Sequence, residues 1–155
     1  VKSFGFCINH PQITDIKIPI QTASPRLLSA MNRNIYVKEM GPLLKELKRA
    51  KHKPFLRTEI IIGLPTSTEE ELMETLDFVA EHFHTVACFS YDFHPYTQVA
   101  RRKILLLEDE TIIRHVQLAI EFALKHPEVR FVFNERGRIC DKMTRNSKAE
   151  IKKEK

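Results

Sequence analysis

RTEIIIGLPTSTEEELMETLDFVAEHF, residues Arg57 to Phe83, decides the fold. Ile60, Ile61 and Ile62 form a continuous β-branched run. The run is too short for a helix, and being apolar on both faces it predicts a strand buried in a parallel sheet covered by helices. Gly63 ends the run, and Pro65 removes a backbone donor and stiffens the turn. Thr68 and Glu71 have the spacing of a capping box, in which the hydroxyl accepts from the third helical amide and the carboxylate reaches back to the cap. Glu69, Glu70 and Glu71 complement the positive end of a helix. Leu72, Leu76, Val79 and Phe83 follow at spacings of four, three and four, which makes one apolar stripe.

In parallel α/β folds ligands collect at the carboxyl ends of the strands, on the loops that lead into helices. The turn from Gly63 to Ser67 is such a loop, and a glycine there lets a ligand approach the backbone closely. The plainer reading is a turn and nothing more, because a short glycine turn is a weak motif by itself.

A chain of 155 residues suffices for one domain with a real core. At 43% hydrophobic the chain is not of disordered composition, and no apolar run approaches the roughly 20 residues that span a bilayer. The start, VKSFGFCINH, lacks the charged and then long apolar regions of a signal peptide. It also lacks an initiator Met, as a processed chain or a piece of a longer one would. The net charge is +5, and the final RNSKAEIKKEK holds five basic and two acidic side chains. With no aromatic residue to stack on bases, residues 143–155 read as a solvated, disordered basic tail rather than a nucleic-acid arm. Cys7, Cys88 and Cys140 are 81 and 52 positions apart, too scattered for a zinc or thioredoxin-type site. Free thiols in a reducing, cytoplasmic setting are expected, with Cys88 in the core.

Taken in order, Val1 to Ile8 reads as a strand and Ile16 to Gln21 as a second one, with Pro19 marking an edge or irregular position. Ser24 followed by Pro25 is an N-cap with proline at the first helical position, opening a short helix to Met31. A longer helix runs from Val37 to about Lys51, or from Pro42 if Gly41-Pro42 delays it. Thr85 to Tyr91 is a strand, Asp92 to Arg101 a loop, Glu108 to His126 the longest helix, and Val129 to Phe133 a last strand. The long helix is expected to bury Ile112, Ile113, Val116, Ala119, Ile120, Ala123 and Leu124. Strands that alternate with helices predict an α/β fold with a parallel sheet.

Three segments, IPIQTASPRLLSAMNR, TEIIIGLPTSTEEELMETLDFV and FSYDFHPYTQVA, resemble the second half of a radical S-adenosylmethionine (SAM) domain. The likeness is to the methylthiotransferases and related Fe–S oxidoreductases, over about Lys17 to Arg102. It implies a fragment of a partial TIM-type barrel of repeated βα units, with residues 1–142 as its C-terminal half. It also implies site roles. Gln21 and Ser24 match a polar pair that contacts the ribose or methionine end of SAM. Ile61 and Gly63 match the segment whose backbone lies beside adenine, and Tyr91 stands near the adenine edge. The parent enzyme would cleave SAM reductively to a 5′-deoxyadenosyl radical, with a 4Fe–4S cluster supplying the electron. The partner this implies is the remainder of the barrel.

The chain departs from the family at three places. Pro-Gly-Glu-Thr is here Pro65-Thr66-Ser67-Thr68, and Pro-Gly-Thr is Pro95-Tyr96-Thr97. The triplet Cys-x-x-x-Cys-x-x-Cys is missing, so the cluster belongs to the parent and not to this chain. His82 and His84 precede a strand that His94 and Asp92 follow, so a shared metal site would need ligands from opposite ends, roughly 20 Å apart. No RNA-binding domain follows the barrel segment, so a nucleic-acid partner is not supported. The alternative reading is a non-catalytic α/β interaction domain, and open sheet edges suggest a homodimer in either case.

Overall fold

The computed structural model describes residues 10–33, 37–95 and 98–134. The expected strand at Val1 to Ile8, Cys7, Cys140 and the basic tail lie outside them. Four parallel strands form one sheet in the order β1 (Asp15–Lys17), β2 (Phe55–Ile62), β3 (Thr85–Ser90) and β4 (Arg130–Phe133). Helices α1 (Pro25–Ala30) and α2 (Val37–Arg49) lie between β1 and β2, and α3 (Glu69–His82) between β2 and β3. A short α4 (Gln98–Arg101) and the long α5 (Asp109–Lys125) lead into β4. The α/β reading with a parallel sheet holds. Helix α2 runs through Pro42 rather than starting there.

The capping box forms as read. Glu71 N–H donates to Thr68 Oγ1 at 3.3 Å, and Thr68 N–H donates to Glu71 Oε2 at 3.1 Å. Ser24 caps α1, its Oγ accepting from Leu27 N–H at 3.3 Å. These ends are set by residues within one turn, which is why they were legible.

The first strand is shorter than expected and is followed by a bulge. Lys17 pairs with Arg57 but Gln21 bridges to Ile60, so four steps on one side match three on the other. Pro19 has no N–H to offer the ladder. Thr58, almost fully buried, spans the break: its hydroxyl donates to the Ile18 carbonyl at 2.7 Å and accepts from Ile20 N–H at 3.4 Å. The chain rejoins β2 at Gln21, whose N–H donates to Glu59 O and whose carbonyl accepts from Ile61 N–H, both at 2.9 Å.

Among the described residues only one face of the sheet is covered. Leu56, Thr58, Ile60 and Ile62 of β2, with Val86 and Cys88 of β3, are buried under α2, α3 and α5. The opposite face carries Asp15, Lys17, Phe55, Arg57, Glu59, Ile61, Phe89 and Val132, and none of these is buried. The expectation that β2 is buried on both faces is therefore corrected. Three consecutive isoleucines satisfy the pattern of a doubly covered strand, but Ile61 is only partly buried while Ile60 and Ile62 are buried. The stripe of α5 is corrected too: His115 and Phe122 face inward, while Leu124 is 78% exposed and Ile120 36%.

Candidate functional site

The expected site residues lie at the carboxyl ends of the strands. Gln21, rejoining the ladder after the bulge, sits in the left-handed region at φ 69, a conformation that costs a non-glycine residue energy and clusters at sites of function. Its carbonyl holds Ile61 N–H, and Tyr91 N–H donates to the Ile62 carbonyl at 2.8 Å. The structure thus brings Gln21, Ile61 and Tyr91 onto neighbouring strand ends. Ile61 and Phe89 are register partners and form an apolar floor there. Further down the same face, Arg57 pairs with Asp15 through both carboxylate oxygens, and Lys17 pairs with Glu59. These ion pairs are solvent-exposed and contribute little stability.

Ser24 and Gly63 are placed differently. Ser24 is 2% exposed, and its hydroxyl, besides capping α1, donates to Glu71 Oε1 at 2.7 Å. Glu71 also takes Arg26 through Nε at 2.9 Å and Nη2 at 2.6 Å. Arg26 and the Ser24 hydroxyl hold the Glu71 carboxyl at about 2, against the ordinary 4.5. Gly63 has φ +76, and a Cβ there would stand 2.7 Å from Ile112 Cγ2 of α5. What approaches this glycine closely is a helix side chain. Ile61 and Gly63 line a cavity of about 10 Å³ with Thr22, Ser67, Thr75 and His115, whereas Tyr91 lines another of about 60 Å³ with Phe93, Leu106 and Ile112.

Thr22, Thr75, Glu71 and His115 did not stand out as site residues in the sequence. The Thr75 hydroxyl donates to Glu71 O at 2.8 Å and accepts from Ala23 N–H at 3.0 Å. Its one hydrogen being used, the Thr22 hydroxyl donates to it across 3.1 Å. Helix α3 thereby fixes the 21–24 loop with two polar side chains, Glu71 and Thr75. The available signal was position: Thr75 stands three after Leu72 and four before Val79, on the apolar stripe, where a polar residue needs a partner.

No protein-family model matches the chain. It is 35% identical to a tRNA-2-methylthio-N(6)-dimethylallyladenosine synthase of Bdellovibrio bacteriovorus over 95 residues, 61% of this chain and 21% of that protein. It is 40% identical to the ribosomal protein uS12 methylthiotransferase RimO of a Hydrogenobaculum species over 76 residues, 48% of this chain and 19% of that protein. The chain is homologous to methylthiotransferases. It spans about a fifth of the length of these two relatives. Among solved structures it resembles coproporphyrinogen III oxidase (HemN) from Escherichia coli, described as a radical SAM enzyme. The TM-score is 0.63 at 24% identity, over 73% of this chain and 27% of that one, which shows a shared fold.

Two cofactors follow from that kinship in the parent family, and the residues fit them unequally. A 4Fe–4S cluster needs clustered thiolates. Cys88 is buried in the sheet, its thiol pushed up to about 12 by burial, and it stands without a second described cysteine. Among the described residues no three His, Cys, Asp or Glu side chains come together as ligands. His82 bonds through Nδ1 to the Phe78 carbonyl at 2.8 Å, and His84 Nδ1 accepts from Leu56 N–H at 2.9 Å. A molecule of SAM's size needs a pocket of roughly 300 Å³ or more, so neither small cavity encloses it. The open face at Ile61 and Phe89 is apolar, and Gln21 and Tyr91 lie on the adjoining strand ends.

Proposed function

We propose that this chain is part of a radical SAM enzyme, the C-terminal half of its barrel within residues 1–142, and supplies one wall of the SAM pocket and of the substrate chamber. The observation that carries the reading is the meeting of Gln21, Ile61 and Tyr91 on neighbouring strand ends, in a chain that is homologous to methylthiotransferases. SAM, if bound here next to a reduced cluster held elsewhere in the parent, would supply radical chemistry, and Gln21, Ser24, Ile61, Gly63 and Tyr91 are the residues of this chain that would hold it. The residues of this chain bind and orient. Ile61 and Phe89 give the adenine ring an apolar floor, and the rim carries the polar groups of Gln21 and Tyr91. Gly63 supports Ile61 from the turn below, and Ser24 anchors the loop that carries Gln21. The remainder of the barrel closes the pocket and is the natural partner of the open face.

The test is titration of SAM into the isotopically labelled chain, followed by amide shifts. Binding in the millimolar range, with shifts gathered at Gln21, Ile61, Gly63 and Tyr91, is expected. Shifts confined to other residues, or none at several millimolar, would overturn it. A second reading, a non-catalytic α/β interaction domain, is favoured by Thr66, which occupies φ 63 where the family motif has glycine. That reading predicts no shift on SAM addition and no SAM cleavage by a longer protein that includes this segment.

A further inference from the structure

Beneath the Gly63 turn, two buried polar atoms have no partner. His115 is 2% exposed and lies on α5 between Ile112 and Ala119, on the buried stripe, yet its Nδ1 accepts and donates nothing. Ser67, the residue before the cap of α3, uses its N–H in the turn, donating to Leu64 O at 3.0 Å, while its hydroxyl is buried and unbonded. Leaving a buried polar group unsatisfied costs about 1–3 kcal/mol, and native proteins leave few such groups. The two do not bond to each other, yet both line the same cavity of about 10 Å³. That is the space open to the centre of one water molecule and no more. The remaining polar walls, Thr22, Glu71 and Thr75, already bond among themselves and to the loop.

We infer that this cavity binds a single water molecule, which bridges His115 Nδ1 on α5 to the Ser67 hydroxyl at the start of α3. A neutral imidazole with one free ring nitrogen, a hydroxyl that can donate or accept, and room for one small molecule specify a water and exclude any larger ligand. Burial holds the His115 ring below its ordinary pKa and so in the neutral form. The water completes a contact whose apolar half is Ile112 against Gly63, so α5 is fastened to the turn by packing on one side and by a bridged hydrogen bond on the other. The inference stands whether or not SAM binds the open face.

Water–protein cross-relaxation in the methyl-labelled full chain tests it. A long-lived water should give cross-peaks to the methyls of Leu27, Leu64 and Leu72 that line the cavity, with the sign of a bound rather than a bulk molecule. Ser67→Ala should remove them while the rest of the spectrum keeps its dispersion. Their absence from the folded wild-type chain, or their persistence unchanged in Ser67→Ala, would overturn the assignment. Should Ser67→Ala not fold, a crystal structure of the wild-type chain that resolves ordered solvent decides the point: density within hydrogen-bond distance of both atoms supports it, and a dry cavity overturns it.

Discussion

Thr66 carries a strain that glycine would not. It occupies φ 63 in the turn before α3, and its side chain and carbonyl accept from Arg26 at 3.1 and 2.7 Å. The left-handed region costs an L-residue roughly 1–2 kcal/mol, against roughly 0.5–1 kcal/mol of extra chain entropy lost by a glycine. Thr66→Gly should therefore raise stability by roughly 0.5–1 kcal/mol, read as a higher urea midpoint at unchanged slope. A lower midpoint would show that the bond from Arg26 to the hydroxyl outweighs the strain. Glu71 gives a pH dependence. Its carboxyl titrates at about 2 in the folded chain against an ordinary 4.5. A depressed carboxylate stabilises the fold at pH above the unfolded value, and the stabilisation is lost as pH falls from about 5 towards 2. Glu71→Gln should flatten the melting temperature across that window while leaving the profile above pH 6 parallel to wild type. Cys88 should resist alkylation at pH 8 in the folded chain and react on unfolding, which mass spectrometry of the modified peptides will show.

At the scale of elements, the two faces of β2 separate cleanly. Ile60 is fully buried, whereas Ile61 lies on the open face. Ile60→Asp places an unpaired charge in the core, at a cost of several kcal/mol against a total stability of roughly 5–15, and should unfold the domain. Ile61→Asp should leave it folded, with a modest fall in melting temperature. Equal effects from the two substitutions would contradict the one-sided sheet. The contact of α5 with the turn predicts coupling. Gly63→Ala forces a Cβ to within 2.7 Å of Ile112 Cγ2 and should destabilise by roughly 1–3 kcal/mol. With Ile112→Ala the clash is gone, so the double variant should lose less than the sum of the singles. Strict additivity in denaturant melts would place the whole penalty in the backbone at φ +76 instead.

For the whole molecule, the described residues leave β1 and β4 each paired on one side only, and leave the open face with Phe55 at 44% and Val132 at 42% exposure. Unpaired edges template further strands, and exposed apolar faces drive association. The last strand does not fold back over an edge but extends the sheet beside β3. The isolated chain should therefore form a dimer, and light scattering should give about twice the 18.1 kDa of one chain at micromolar concentration. A single-chain mass throughout a dilution series would show that residues outside the described sheet cover it. Among the described residues no helix is long and apolar enough to cross a membrane, which agrees with the apolar runs of the sequence.

Among the described residues, the parallel sheet and all its elements but the short α4, which falls where a loop was expected, were legible in the sequence, and so were both helix caps, which depend on residues within one turn of one another. Thr68 and Glu71 meet whatever surrounds them. Pro19 announced an irregular edge, although the bulge that answers it needed Thr58, some forty residues away. Burial on the second face of β2 was misread because a strand's own pattern cannot say what lies across from it. The occupant of the space beside Gly63, Ile112, comes from a helix about fifty residues later. Glu71 read as a cap alone, and only tertiary packing added Ser24 and Arg26 to it. Thr75 and His115 are polar residues at apolar-stripe positions, visible as exceptions but without a partner until α3 and α5 closed over the Gly63 turn. Local chemistry set the elements, and contacts between residues distant in sequence, which only the folded chain brings together, set the site.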